Sequence, residues 1–332
     1  SVAFTGNTPA TLPTGYSLGA VAGTEVTDTV GGVDGIALFD GLPLGLYVVT
    51  ETDPGTNPIV SPIAPFFVTA PYASQTQWLY DVHVYPKNKL NETVPTKTVA
   101  DPGSAIVVGD ELVWTVTAPV PTLATGDTFD SFVISDDFDD RLTIDTADVV
   151  VEIDGAPLTQ GTDYTITPAG GTAVAGPTVV IGLSAATRAT LPAKANVVVT
   201  YPTTVASLGT TAFFENEAVV NANDTSKRTD KPRVNFGSIE IIKVNAAVTT
   251  QTLQGAEFEL YASKTAAAPL GTYTTGADGV LRIYGVWVGI GGDVSREYFL
   301  KETKAPAGYV LPADPWTTVT VTAGGLTATP VK

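Results

Sequence analysis

The stretch Ser238-Ile239-Glu240-Ile241-Ile242-Lys243-Val244 decides the fold class and poses the main question about this chain. Successive side chains of a strand point to opposite faces. Ile239, Ile241 and Lys243 therefore share one face, which puts a lysine in line with two core isoleucines. Other runs of strand length carry the same texture: 46–50 (LYVVT), 112–117 (LVWTVT), 149–153 (VVVEI), 197–201 (VVVTY), 258–261 (FELY) and 317–322 (TTVTVT). Turn signals separate them, among them Asp154-Gly155, Gly161-Thr162-Asp163 and Ala277-Asp278-Gly279. The best helix-like segment, 184–189, is short and lies between Gly182 and Pro192. Regular short strands with frequent turns predict an all-β chain of stacked sandwiches.

Composition removes several functions. The 332 residues contain no Cys, so disulfide scaffolds, zinc–thiolate sites and thiol catalysis are excluded. A single His, His83, rules out a multi-histidine metal site. A formal net charge of −17 disfavours nucleic acid and anionic membrane as partners, since both need basic patches. There is no uninterrupted apolar run of about 18 residues, the length a membrane-spanning helix requires. The start at Ser1, with no Met and no visible signal peptide, reads as a processed fragment or mature form. Two polar, proline-marked segments, 86–95 and 221–235, read as linkers. They divide the chain into 1–93, 94–235 and 236–332. The first block carries no Lys or Arg before Lys87.

The question raised by Lys243 recurs elsewhere. Tyr298, Leu300 and Glu302 share a face, as do Lys97 and Val99. So do Phe132, Ile134, Asp136 and Phe138, and again Phe214, Asn216, Ala218 and Val220. A lysine, an acid and an asparagine would then point into one core. Taken singly, each is an ordinary charged residue near a strand end whose head reaches water. Two blocks that each offer a lysine and an acid in the buried phase weaken that view. Burial drives a lysine toward the neutral amine and a carboxyl toward the neutral acid. A neutral amine is a nucleophile, and a protonated carboxyl can polarise an amide carbonyl and shuttle the proton. Held in proximity, the three groups can form a Lys–Asn isopeptide bond with loss of ammonia. The cluster Asp136, Asp137, Asp139 and Asp140 reads as a solvated turn. Calcium there is the weaker alternative, because the EF-hand Gly and terminal Glu are missing. No other cofactor or metal is expected.

Several motifs resemble those of the shaft pilins of Gram-positive, sortase-assembled pili. The run Trp78-Leu79-Tyr80-Asp81-Val82-His83-Val84-Tyr85-Pro86-Lys87-Asn88 is similar to the pilin motif, matching it at Trp78, Val82, Val84, Tyr85, Pro86 and Lys87. The stretch from Tyr298 through Glu302 to Tyr309 resembles the family's E-box, and the stretch around Glu51 is a second such sequence. The resemblance implies three tandem immunoglobulin-like β-sandwich domains of collagen-adhesin B, A and B type. It implies that Lys87 accepts the C-terminal threonine of another, identical subunit through a pilin-specific sortase. In the middle block it implies a triad of Lys97, Asp136 and a late asparagine. Asn216 is chosen because it shares the phase of Phe214 and Ala218, with Asn221 as the alternative. In the last block it implies Lys243 as nucleophile and Glu302 as acid.

The chain departs from the pattern in three places. No Asn or Asp follows Asp314, so the third block's asparagine either lies past Lys332 or the bond does not form. Glu51 has no lysine before Lys87 to serve, which makes it structural. The sorting signal is absent; Leu12-Pro13-Thr14-Gly15 is one residue short of it and at the wrong end. The expectation is an extracellular, cell-wall-anchored structural subunit and not an enzyme. The alternative is a surface adhesin or minor pilin that binds a host glycan or matrix protein. No motif supports a glycosidase.

Overall fold

A computed structural model describes residues 17–53, 55–74, 76–103, 108–208 and 213–324, together with the backbone of 330–331. Leu12–Gly15 lies outside the described residues. The chain divides into two compact units, one of residues 1–91 with 123–127, the other of 92–122 with 128–332.

In the first unit the described residues form two-stranded antiparallel ladders. Gly45–Val49 pairs with Phe66–Ala70, Ile59–Ser61 with Lys89–Leu90, and Tyr72–Ala73 with Trp78–Leu79. Its buried side chains include Val60, Ser61 and Asn91.

The second unit contains two successive sandwiches. In the first of them, one sheet runs in the order Ala156–Pro157, Val150–Ile153, Asn196–Val205, Glu111–Pro119, Thr96–Val99. The facing sheet runs Tyr164–Thr167, Thr178–Leu183, Phe132–Asp137, Ala218–Ala222, Thr225–Arg228. Strict alternation of buried and less buried residues along Glu111–Pro119, Phe132–Asp137 and Asn196–Val205 shows that each strand gives one face to the core. The helix-like segment is a single short helix, Ala185–Ala189, whose N-terminus is capped by the Ser184 side chain.

The second sandwich pairs Arg233–Ile242 with Val280–Ile290 in one sheet, and Pro330–Val331 runs parallel to the former. The other sheet is ordered Gly271–Thr274, Glu257–Tyr261, Ser295–Lys304, Trp316–Thr322. Ile239, Ile241, Phe258, Leu260, Ile283, Tyr298 and Leu300 fill the core. Gly237 allows a close approach of the two sheets, since a Cβ there would strike the Thr322 carbonyl oxygen and the Val321 side chain.

The segment 221–235, which composition reads as a linker, is instead mostly strand. Ala218–Ala222 and Thr225–Arg228 form a hairpin of the earlier sandwich, and Arg233 opens the first strand of the next. Its polar residues alternate with Val220, Ala222 and Val234, and those apolar partners are buried. Composition recorded the outward face and missed the inward one. Phe213–Glu215 pairs across to Arg233–Ile242, so the two sandwiches share a ladder.

Candidate functional site

Lys97 lies on Thr96–Val99, opposite Val116 of the central strand Glu111–Pro119. The pleat that buries Val99 and Val116 also turns the Lys97 side chain inward, where it is fully buried. Asp136, also fully buried, projects from the facing sheet out of Phe132–Asp137, next to Ala218. Lys97 Nζ donates to Asp136 Oδ2 and, at 2.6 Å, to Asn216 Oδ1. Asn216 follows Phe213–Glu215, is 2% exposed, and donates its amide to the Asp137 carbonyl at 3.3 Å. Asn221 points elsewhere and engages Ser131 and Ser226.

Aromatic rings surround the amine. Lys97 Nζ lies 4.9 Å from the ring centre of Phe138, 5.5 Å from Tyr201 and 5.6 Å from Trp114. Trp114 is held by its indole N–H to Thr203 Oγ1 at 3.1 Å, and Thr203 in turn donates to the Leu112 carbonyl. The setting is buried and largely apolar, and both ionisable groups respond. Burial pushes the Lys97 amine below its ordinary pKa, against the opposing pull of Asp136. Burial also raises the Asp136 carboxyl, opposed by the Lys97 charge and the Asn216 amide. Each shift favours the uncharged form. The pair can therefore exist as amine and acid beside an amide carbonyl, the arrangement needed for aminolysis.

Arg141, which the sequence did not single out, fixes the approach of Asn216. Its guanidinium bonds the Asp139 carboxylate at 2.8 and 2.6 Å, the Leu208 carbonyl at 2.9 Å and the Phe213 carbonyl at 2.8 Å. It also covers the Phe214 ring at 4.4 Å. One cation thus gathers the chain just before Asn216. An open cleft of about 760 Å³ lies outside, lined in part by Asn216, Asp137, Asp139, Arg141 and Glu217.

The acidic cluster does not converge. Asp136 faces the core, Asp137 accepts from Thr178 on the outer face, and Asp139 is held by Arg141. The solvated-turn reading fails for Asp136 and Asp137, because both belong to a paired strand.

In the later sandwich Lys243 Nζ donates to Glu302 Oε2 at 2.8 Å. Glu302 is 5% exposed and its other oxygen has no partner among the described residues, whereas the Lys243 side chain is 27% exposed. Lys243 comes just after Arg233–Ile242, so its head lies nearer solvent than the strand phase implied. In the first unit Lys87 is exposed. The neighbouring Asn88 is tied down: its amide donates to Glu51 Oε1 at 3.0 Å and its carbonyl oxygen accepts from Ile63 N at 2.8 Å. Trp78, Val84 and Tyr85 of the same motif are exposed, Val82 is half-buried, and Pro86 is exposed. His83 sits outside, 3.5 Å from Asp81.

Comparisons with known proteins agree with this layout. Residues 10–89 match the Gram-positive pilin subunit D1 N-terminal domain, 92–231 the Sgo0707 N2 domain, and 237–331 a prealbumin-like fold domain. The fimbrial subunit type 2 of Actinomyces naeslundii is 30% identical over 341 residues, which cover 88% of this chain and 62% of that protein. The structure of the full-length major pilin SpaD from Corynebacterium diphtheriae aligns with a TM-score of 0.67 and 29% identity, covering 88% of this chain and 73% of that one.

The chain is similar to the Gram-positive pilins along nearly all of its length.

The fimbrial subunit type 1 of Actinomyces viscosus is 33% identical to this chain over 166 residues, 46% of this chain and 30% of that protein. The chain thus spans 62% and 30% of the lengths of these two relatives. Its architecture is the multi-domain immunoglobulin-like sandwich of the major pilins.

Proposed function

We propose that this chain is a pilin, a structural shaft subunit of a covalently polymerised, extracellular pilus, stapled internally by a Lys97–Asn216 isopeptide bond. The observation that carries the proposal is the fully buried contact of Lys97 with Asp136 and Asn216. The neutral Lys97 amine attacks the Asn216 side-chain carbon. The Asp136 acid polarises the carbonyl, then relays the proton lost by Nζ to the departing amide nitrogen. An Nζ–Cγ bond forms, the Cγ–Nδ2 bond breaks, and ammonia leaves toward the cleft beside Asn216. The event occurs once per chain, so the pilin is not a turnover enzyme.

Burying a charged pair is costly, and its retention needs a reason beyond stability. Conversion to one amide removes both charges and ties Thr96–Val99 to the segment that leads into the last hairpin. Pulling on the ends of such a domain cannot peel those segments apart. The exposed Lys87 beside an anchored Asn88 suits an acceptor that a sortase must reach, with an identical subunit as donor. Lys243 and Glu302 would serve a second bond in the last sandwich, and Pro330–Val331 runs parallel to Arg233–Ile242 in the direction of Lys243.

Intact-protein mass spectrometry tests the internal bond. The purified chain should weigh less than its sequence by one ammonia, and Lys97→Ala should restore the full mass. A wild-type protein at full sequence mass would sink the proposal.

A further inference from the structure

Asn216 sits where the chain crosses from one sandwich to the other. The strand just before it, Phe213–Glu215, pairs among the described residues only with Arg233–Ile242, the first strand of the last sandwich. The strand after it, Ala218–Ala222, pairs with Phe132–Asp137 of the middle sandwich. The asparagine of the middle sandwich therefore takes its register from its neighbour's sheet. The ladder sets Phe213 opposite Asn235, Phe214 opposite Val234 and Glu215 opposite Arg233. The Asn216 N–H continues it, donating to the Pro232 carbonyl at 3.3 Å.

That register decides which way the reacting amide faces. Phe214 and Asn216 are buried, while Phe213 and Glu215 between and beside them are half-buried. A slip of one residue would turn Asn216 away from Lys97. Two side chains of the last sandwich oppose such a slip. Phe236 meets Phe214 with ring centres 5.4 Å apart, and the Arg233 guanidinium lies 3.6 Å from the centre of the Phe213 ring. Both are anchored from their own sandwich. The Gly291 N–H donates to the Arg233 carbonyl at 2.7 Å, and Phe236 is paired opposite Trp287. Asn235 between them donates its amide to the Gly291 and Asp293 carbonyls at 2.8 and 3.2 Å. Phe236 is fully buried, yet it is not among the residues that fill the core of the last sandwich.

We infer that Phe236 and Arg233 are positioning residues for isopeptide formation: acting through Phe214 and Phe213, they seat Asn216 of the middle sandwich from the last one. This rests on the Lys97–Asn216 bond proposed above. Reaction between held groups is steep in distance, and a misplacement of about 1 Å costs on the order of 100-fold in rate. Arg141 grips the same segment from the middle sandwich, through the Phe213 carbonyl and the Phe214 ring. Asn216 is thus located only when both sandwiches are folded. In a chain made from its N-terminus, the staple of the middle sandwich waits for the first strand of the next.

The test follows ammonia loss by intact-mass spectrometry in samples taken during and after cell-free synthesis of the full chain. Phe236→Ala should slow the loss about 10–100-fold. Phe236→Leu, which keeps a large apolar side chain against Phe214, should return most of the rate. Leu260→Ala is the control, since Leu260 belongs to the core of the last sandwich. Its truncation removes comparable stability from that sandwich but leaves the contacts with Phe213 and Phe214 in place, so it should keep the wild-type rate. Calorimetry checks that the two truncations are matched. A wild-type rate in Phe236→Ala would overturn the inference, and so would equal slowing in both truncations, which would reduce Phe236 to a stability effect. Should Phe236→Ala fail to fold by circular dichroism, Arg233→Ala is read against the same control with the same outcomes. Absence of ammonia loss from wild type would instead reject the isopeptide bond itself, and this inference with it.

Discussion

Lys97 Nζ donates to Asn216 Oδ1 at 2.6 Å across 119 residues of chain. The contact joins the first strand of the middle sandwich to the segment that leads into its last hairpin, and it does so inside a fully buried ring of aromatic side chains. If the two residues bond, each variant that removes a participant loses both a crosslink and a buried partner. Lys97→Ala and Asp136→Ala should each restore full mass and cost roughly 3–5 kcal/mol from the orphaned partner alone. Guanidinium unfolding and trypsin resistance read the loss, and wild-type stability in either variant would contradict it.

Arg141 gathers Asp139, Leu208 and Phe213 just ahead of Asn216. Arg141→Ala should destabilise the sandwich by about 2 kcal/mol, through lost charge-assisted hydrogen bonds. It should also leave a fraction of the protein at full mass, because Asn216 is no longer held in place. Mass spectra of freshly made protein would show the two species.

Hydrogen bonding from Arg141 holds the Asp139 carboxyl below the ordinary carboxylate range. A lowered folded pKa means that the folded state favours the ionised form. The resulting stability is present above the unfolded value of about 3.9 and is lost as pH falls through the folded value. Acid titration of thermal stability should therefore show a drop below about pH 4, smaller in Asp139→Asn. Equal acid limbs in the two proteins would refute the assignment.

Lys87 is exposed while Asn88 beside it is anchored to Glu51 and Ile63. Lys87→Ala should abolish sortase-driven oligomers on denaturing gels with no change in melting temperature. Asn88→Ala should reduce the oligomer yield with Lys87 intact, since it frees the backbone that presents the lysine. Full polymerisation by Lys87→Ala would exclude this residue as acceptor.

Gly237 lies where a side chain would meet the Thr322 carbonyl. Gly237→Ala should destabilise the last sandwich by about 1–3 kcal/mol, an overpacking effect. Calorimetry should show that transition moving and the ammonia deficit unchanged.

Much of this was legible in single strands. Alternation placed Lys97, Asp136, Asn216 and Glu302 in core phase, because the side-chain period of a strand is local and needs no partner. The same pattern put Trp114 in phase with Leu112 and Val116, and Tyr201 in phase with Val197 and Val199, which was the available signal for the aromatic ring around the amine. Other features had no local signature. The hairpin within 221–235 was concealed because its exposed face dominates the composition. Arg141 acts through backbone carbonyls 67 and 72 residues away, which no residue pattern announces.

The sequence by itself determined an all-β chain, the phase of its strands, and the pilin motif that ends in Lys87, since each depends on neighbours a few residues apart. Tertiary structure alone decided which asparagine meets Lys97, that Lys243 lies closer to solvent than its strand phase implied, and that aromatic rings from separate strands close around the amine. Those outcomes depend on how two sheets face each other, and the facing of sheets is set by packing between residues far apart in the chain.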